Sequence, residues 1–376
     1  MNRSFMLHRN LHKSYVNVQC KLKPETPGEF AHRQPDRRPW LTCMEPRDCR
    51  GAMEDSNHAV LKPGAHGTHS GRAAREKPSL HTAVSELAAD WSIELTPREV
   101  GKFADSLGEH LPPGTRVYVT WLAGSSFENS LAAAVALKRA GMIPVPHLAA
   151  RAIKDEIMLS DMLAHLRGEA DVTQVLLVGG TVRQPAGAFD ACIQVLETGA
   201  FERHGIRKLG LAAHPEGSPD IAPAALAQAL TEKNAYAARS AMAIELTTQF
   251  CFDAAPILDW ECAIRAAGNR LPVTIGLAGL AGIATLIKHA RNCGVGNSIG
   301  VLMKQAGKFL QLTTAADPSS VILGLARARL ADSECRIARL HYFPFGAFQA
   351  TARYARALAE GDFTVDEARQ RLQVRK

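Results

Sequence analysis

A chain of 376 residues, 46% hydrophobic and 22% charged, has the composition of a globular protein with a sizeable core, in one large domain or two small ones. No run approaches the roughly 18 consecutive apolar residues of a membrane span, and the N-terminus lacks the apolar segment of a secretory signal, so a cytoplasmic protein is expected. Of the net charge of +7, +6 belongs to residues 1–80, which hold 14 Lys+Arg against 8 Asp+Glu; the remainder holds 30 against 29, without a basic stripe that would argue for nucleic acid. Eight cysteines with no C-x-x-C pair and no zinc-like spacing read as free thiols.

Residues 1–80 show no sustained period of 3.6 or 2, and their scattered Pro, Gly, His and Arg cannot bury enough apolar surface to offset ordering. A disordered tail is expected. Its acids (Glu25, Glu29, Asp36, Glu45, Asp48, Glu54, Asp55) argue against a transit peptide, and Met53 is an alternative start.

From residue 81 the pattern repeats. A short helix (81–90) leads to strand Trp91–Leu95, and Pro97 opens a helix to Leu111, as a first-turn proline does. Then come strand Val117–Leu122, helix Phe127–Ala140, strand Ile143–Leu148, helix Ile153–Arg167, strand Val175–Val178 and helix Phe189–Arg203. Strand Leu209–Ala213, helix Ala222–Ser240, strand Ala243–Phe250, helix Ala255–Ala267, strand Val273–Leu277 and helix Ile283–Cys293 continue the rhythm. Helices at Val301–Leu312 and Ser319–Ala331 form an insertion before strand Ile337–Tyr342 and helix Gln349–Glu360. Strands such as V-L-L-V and T-I-G-L are apolar on both faces, as required where helices cover one side and a packed interior the other. Eight strand–helix units over residues 81–376 therefore predict a (β/α)8 TIM barrel. The open doubly wound sheet is the alternative, but Gly179-Gly180 is not part of a G-x-G-x-x-G turn.

Barrel chemistry sits at the C-terminal strand ends. Those ends deliver Glu94; Thr120 and Trp121; His147; Gly179, Gly180 and Thr181; His214 and Glu216; Thr248 and Gln249; and Tyr342. A carboxylate inside W-S-I-E-L is costly to bury unpaired, so a raised pKa and an acid role are expected for Glu94, or else an ion pair with an arginine. With one carboxylate near His147 and His214, and no H-x-H, no metal site is expected. In A-I-E-L-T-T-Q-F-C-F-D (243–253), the Gln249 amide needs partners for its donors and acceptor; a planar heterocycle or neighbouring backbone would each satisfy it.

These strand ends resemble the methylenetetrahydrofolate reductase family. The family's F-E-F-F-P-P is similar to I-E-L-T-P, its V-T-Y-x-A to V-T-W-L-A at 119–123, its P-H-L to 146–148, its Y-P-E to H-P-E at 214–216, and its T-Q-F-F-F-D to T-Q-F-C-F-D at 248–253. The resemblance covers residues 91 to about 360 and implies reduction of 5,10-methylenetetrahydrofolate to 5-methyltetrahydrofolate with NADH or NADPH through bound FAD, in a possible homo-oligomer. It implies Glu94 as acid and Gln249 as reader of the pterin edge, with Phe250 or Phe252 nearby. Thr120, Trp121, His147, Gly180, Thr181, His214, Glu216 and Asn234 would meet the flavin. Departures are Gly179-Gly180-Thr181 for the family's R-G-D, Ala237-Ala238 for a basic pair, with Lys233 and Asn234 one turn earlier, and Ile283 for an aromatic. They motivate two rivals, direct hydride transfer without flavin and a non-catalytic folate-binding subunit.

Overall fold

The computed structural model describes residues 78–121, 126–180, 182–218, 220–282, 284–287 and 317–375. Residues 1–77 of the predicted tail, Thr181, Ile283 and the predicted helix Val301–Leu312 lie outside these residues, as does most of the predicted helix beginning at Ile283. Eight parallel strands close into a barrel in sequence order, with the first paired to both the second and the eighth. They are β1 (Ser92–Leu95), β2 (Arg116–Val119), β3 (Ile143–Ala149), β4 (Gln174–Val178), β5 (Lys208–Ala213), β6 (Ala243–Cys251), β7 (Val273–Ala278) and β8 (Ile337–Phe343). The predicted TIM barrel is the observed fold.

Helices α1 (Leu80–Ala88), α2 (Pro97–Phe103), α3 (Leu107–His110), α4 (Phe127–Arg139), α5 (Glu156–Ala170), α6 (Cys192–Glu197), α7 (Ala200–Arg203), α8 (Pro223–Ala237), α9 (Ala254–Ala266), α10 (Ser319–Ala331) and α11 (Phe348–Glu360) surround it. Local chemistry sets several starts. Thr96 and Glu99 form a reciprocal capping box ahead of α2, Asp155 caps α5, and Asp253 caps α9 through Ala255 N at 3.1 Å. Asp253, the last residue of T-Q-F-C-F-D, is thus a helix cap. Two predicted helices are broken: the first by a 3-10 turn at Ala104–Ser106, the second at Gly199, whose φ of 67° no helix interior accepts. A C-terminal hairpin, β9 (Phe363–Asp366) with β10 (Arg371–Val374), was not anticipated.

Strand alternation separates two environments. Ile93, Leu95, Val117, Val119, Leu148, Leu209, Leu211, Leu340 and Tyr342 join the large core shared with the helices, whereas Tyr118, Val145 and Leu176 form a small cluster of their own with Ile143 and Val178. Buried Glu245 of β6 pairs with Lys208 Nζ at 3.0 Å and Arg339 Nη1 at 2.5 Å, and Tyr118 Oη lies 3.5 Å away. Two cations around one carboxylate offset a charge that alone would be costly there.

One irregularity shapes the mouth. The β6–β7 register shifts between Thr247 and Phe250, so β6 carries one residue too many. Thr248 repairs the ladder: Gly276 N donates to its Oγ1 at 2.8 Å, and that hydroxyl donates to Gln249 O, also at 2.8 Å. A Cβ on Gly276 would stand 2.6 Å from the carbonyl oxygens of both Thr248 and Gln249. Gly276→Ala is therefore expected to cost about 1–3 kcal/mol through overpacking against backbone. Chemical denaturation would check this; an unchanged midpoint would show that the bulge yields freely.

Candidate active site

The strand ends converge on Glu94. Pairing of β1 with β2 extends past Val119, where Thr120 N donates to Leu95 O at 3.0 Å, and this sets Thr120 beside the carboxyl. Thr120 Oγ1 donates to Glu94 Oε1 at 2.9 Å. On the other side, Oε2 lies 3.4 Å from His147 Nε2 and 3.5 Å from His341 Nε2, and both nitrogens are buried without a well-aligned hydrogen-bond acceptor. Ser92 and His341 are register partners across the β1–β8 seam, and Ser92 Oγ is 2.9 Å from His341 Nδ1. The Tyr118 ring lies 4.5 Å from the His341 ring and 6.0 Å from that of His147.

This geometry corrects two expectations. Burial pushes the Glu94 carboxyl up, but His147, His341 and the Thr120 hydroxyl together outweigh it and hold the group below its ordinary 4.5. The partners are histidines, not an arginine. Burial also pulls His147 below its ordinary 6.5, opposed by Glu94. His147, which the resemblance sets on the flavin side, lies beside the acid, its Nε2 3.4 Å from Glu94 Oε2. Reading the eighth strand as delivering Tyr342 was an error of parity: Tyr342 packs outward, 6.1 Å from Trp91, and His341 points inward. Counting alternate positions from the apolar Leu340 would have found it.

A wall of aromatic rings stands at the ends of β6 and β8. Phe250 lies 5.6 Å from Phe252, 5.6 Å from Phe343 and 4.9 Å from Phe345, with Ala278, Ala281 and Leu286 in the same cluster. Phe345 takes a left-handed φ of 48° just before Gly346, and this strained turn brings its ring onto the wall. Phe343 also packs 4.7 Å from His341, so wall and acid adjoin. Gln249 is half-buried, and its Nε2 donates to Gly217 O at 3.3 Å in the loop after β5. That is the backbone partner considered for it, and it fixes the amide across the mouth.

The remaining predicted residues scatter. His214 is half-buried, with its pKa pulled down to about 4 by burial and then by Lys233. Glu216 is half-buried, and Gly180, at φ 93°, stacks on Ala149, which a Cβ would approach to 3.3 Å. Trp121 packs against the helix-facing core. Asn234 sits near the C-terminal end of α8, where its amide bonds Asn269 Oδ1 at 3.0 Å and Arg270 N at 2.9 Å ahead of β7. That is the opposite end of the barrel, so Asn234 is not a residue of the mouth. No three His, Cys, Asp or Glu are arranged for a metal ion among the described residues. None of the described helices is long and apolar enough to cross a membrane.

The flavin implied by the strand-end motifs needs donors for its diphosphate. Asn234 is spent at the far end, Lys233 Nζ donates to Ala212 O at 2.6 Å, and Arg151 is engaged by Arg183 O and by Asp190 at 3.1 Å. These residues do not fit that half of FAD.

No family model matches the chain. Among solved structures, a Clostridium thermocellum protein described as binding two copies of 5-methyl-5,6,7,8-tetrahydrofolic acid is similar with a TM-score of 0.49 and 12% identity, over 74% of this chain and 95% of that one. The apo form of 3-keto-D-glucoside 4-epimerase from E. coli is similar with a TM-score of 0.28 and 9% identity, over 71% and 98%.

The His214 environment has a measurable consequence. An unfolded imidazole takes up its proton near the ordinary 6.5 but the folded one only near 4, so between these values the unfolded state binds more protons. Stability is expected to fall as pH drops from about 6.5 to about 4, with no further contribution below. NMR titration of His214 should give a midpoint near 4; a midpoint at 6.5 would contradict the buried setting.

Proposed function

We propose that this chain reduces 5,10-methylenetetrahydrofolate to 5-methyltetrahydrofolate, taking hydride directly from NADH or NADPH. The observation that carries the reading is the pairing, at one barrel mouth, of a carboxyl only 13% exposed and ringed by Thr120, His147 and His341 with an adjoining wall of phenylalanines and a fixed amide. The ordered run of strand-end motifs supports the same substrate.

The chemistry accounts for the residue types. Reduction requires the imidazolidine ring to open: one C–N bond breaks, its electron pair goes to nitrogen, and that nitrogen takes a proton from Glu94. The iminium carbon left behind accepts hydride from the nicotinamide, which becomes NAD+ or NADP+, and the carbon becomes the methyl group. Glu94 regains its proton from water. Because His147, His341 and Thr120 stabilise the carboxylate, the acid form of Glu94 is the minor one at neutral pH, and turnover falls as pH rises through its titration. The Phe250, Phe252, Phe343 and Phe345 cluster offers apolar faces for a flat ring. Gln249, with its amide held by Gly217, presents a donor–acceptor edge of the kind a pterin carries. A nicotinamide co-substrate that comes and goes tolerates a diphosphate left in solvent at the rim, whereas a resident flavin does not, since each 1.4 kcal/mol of lost contact is about tenfold in affinity.

Glu94→Gln is expected to leave folate binding intact and to lower turnover by about two orders of magnitude or more, the scale of general acid catalysis. Methylenetetrahydrofolate-dependent oxidation of NADPH, with folate binding by calorimetry, checks this. Wild-type turnover in the mutant would make Glu94 structural. Binding without turnover in the wild type would leave a folate-binding subunit.

A further inference from the structure

We infer that the outward face of α4 is a self-complementary interface, on which a second copy of this chain docks about a two-fold axis with the two α4 helices antiparallel. The inference is independent of the proposed reaction, and its test needs no turnover.

Helical spacing sets the face. Glu128, Ala132, Val135 and Arg139 recur every three or four residues and so lie on one side of α4, with Leu131 and Ala136 along its margins. These six residues line a groove of about 330 Å³, bounded on the α5 side by Glu169. Ala132 is exposed, and Leu131, Val135 and Ala136 are only half-buried although their inner sides pack on the core. An apolar floor is therefore open among the described residues, with an acid at one end and a base at the other. Those end charges are unpaired. Glu128 is a carboxylate, held below its ordinary 4.5 by its own backbone N–H and by Ser126. Neighbouring Lys138 is already held by Asp171 at 2.9 Å, and Glu169 by His165 at 2.7 Å. Among the described residues no ion pair involves Glu128 or Arg139.

The order of residues on this face identifies the occupant. Glu128 and Arg139 stand three turns and about 16 Å apart along the helix. The midpoint between them is also the midpoint between Ala132 and Val135. A two-fold axis through that midpoint, perpendicular to the helix, lays an antiparallel copy of α4 over the first. Glu128 then meets Arg139 of the second copy at both ends, and Ala132 meets Val135 on both sides of the centre. Each charge faces its opposite and each large side chain a small one, which is the self-complementarity that a two-fold interface requires. Alanine at the centre lets the two helix axes approach to about 8–10 Å. The result is an apolar centre with a charged rim, the usual build of a protein interface. A parallel copy would instead stack Glu128 on Glu128 and Arg139 on Arg139. One operation satisfies both pairings, and that operation relates two copies of this chain.

The test is the mass of the full chain in solution, read by light scattering after gel filtration. The wild type should run at twice its 40.6 kDa when loaded at about 10 μM. Arg139→Glu and Glu128→Arg each set like charges at both ends of the interface. Each should weaken the dimer by about tenfold or more, shifting the mass toward that of the monomer. Mixed in equal amounts, the two variants should recover a dimer, because every end contact is again acid against base; misfolded variants would not produce that recovery. If either charge reversal fails to fold, Ala132→Glu, at an exposed position, should by itself yield monomer. A wild type that stays at 40.6 kDa even at about 100 μM would overturn the inference. So would a dimer that survives Arg139→Glu or Ala132→Glu, or a mixture of the two charge reversals that stays monomeric. Cross-linking that ties α4 to residues 1–77 of its own chain, in place of a second copy, would overturn it as well.

Discussion

The constraint on which this mouth depends is the cost of keeping the Glu94 carboxyl inside a barrel. An ionised carboxylate taken out of water is penalised by several kcal/mol unless charges and hydrogen bonds replace its hydration. Here the replacements come from three strands. Thr120 supplies a hydroxyl from β2, His147 an imidazole from β3, and His341 an imidazole from β8, all within 3.5 Å. Each partner depends on barrel closure: His341 reaches Glu94 because β8 returns to pair with β1. Fold and candidate chemistry are one arrangement seen at two scales.

The barrel interior holds a second buried carboxylate, and the contrast between the two is informative. Glu245 is bracketed by Lys208 and Arg339, and the three form a fixed ion cluster. Glu94 is bracketed by histidines, which present one donor and one acceptor nitrogen when uncharged. Arginine at those positions would lock the carboxylate and end its use as an acid. Tyr118 touches both layers, its ring against His341 and its hydroxyl toward Glu245, so the mouth rests on a rigid polar floor. Above it, the T-T-Q-F stretch gains its shape from one extra residue, with Thr248 mending the ladder so that Phe250 can turn into the aromatic wall.

Much of this was legible from periodicity. Eight apolar strands alternating with helices specify the barrel, and a carboxylate inside the apolar W-S-I-E-L segment stands out because hydrophobic burial cannot explain it. What surrounds that carboxylate was not legible in the same way. Partners from β3 and β8 are distant in sequence, and a one-residue error in facing exchanged His341 for Tyr342. The sign of the Glu94 shift was misjudged for the same reason, since burial is visible in one strand while the opposing histidines are not. Asn234 fell at the wrong end because a helix of 15 residues runs the full height of the barrel, and its last turn lies far from the mouth. Glu245 escaped notice because its two cations arrive from β5 and β8. The breaks at Ala104 and Gly199 and the C-terminal hairpin depend on packing against neighbours, which helix periodicity does not report.

The account turns on hydride passing straight from nicotinamide to a folate-bound carbon beside Glu94. The most direct measurement follows deuterium from NADPH labelled on the transferring face of C4 into the product, with the protein incubated in ordinary water alongside methylenetetrahydrofolate. Direct transfer predicts 5-methyltetrahydrofolate carrying one deuterium per methyl group, with no loss to solvent. A product whose methyl group has exchanged its label with water, as transfer through an intervening flavin nitrogen would produce, or the absence of any product, would contradict it.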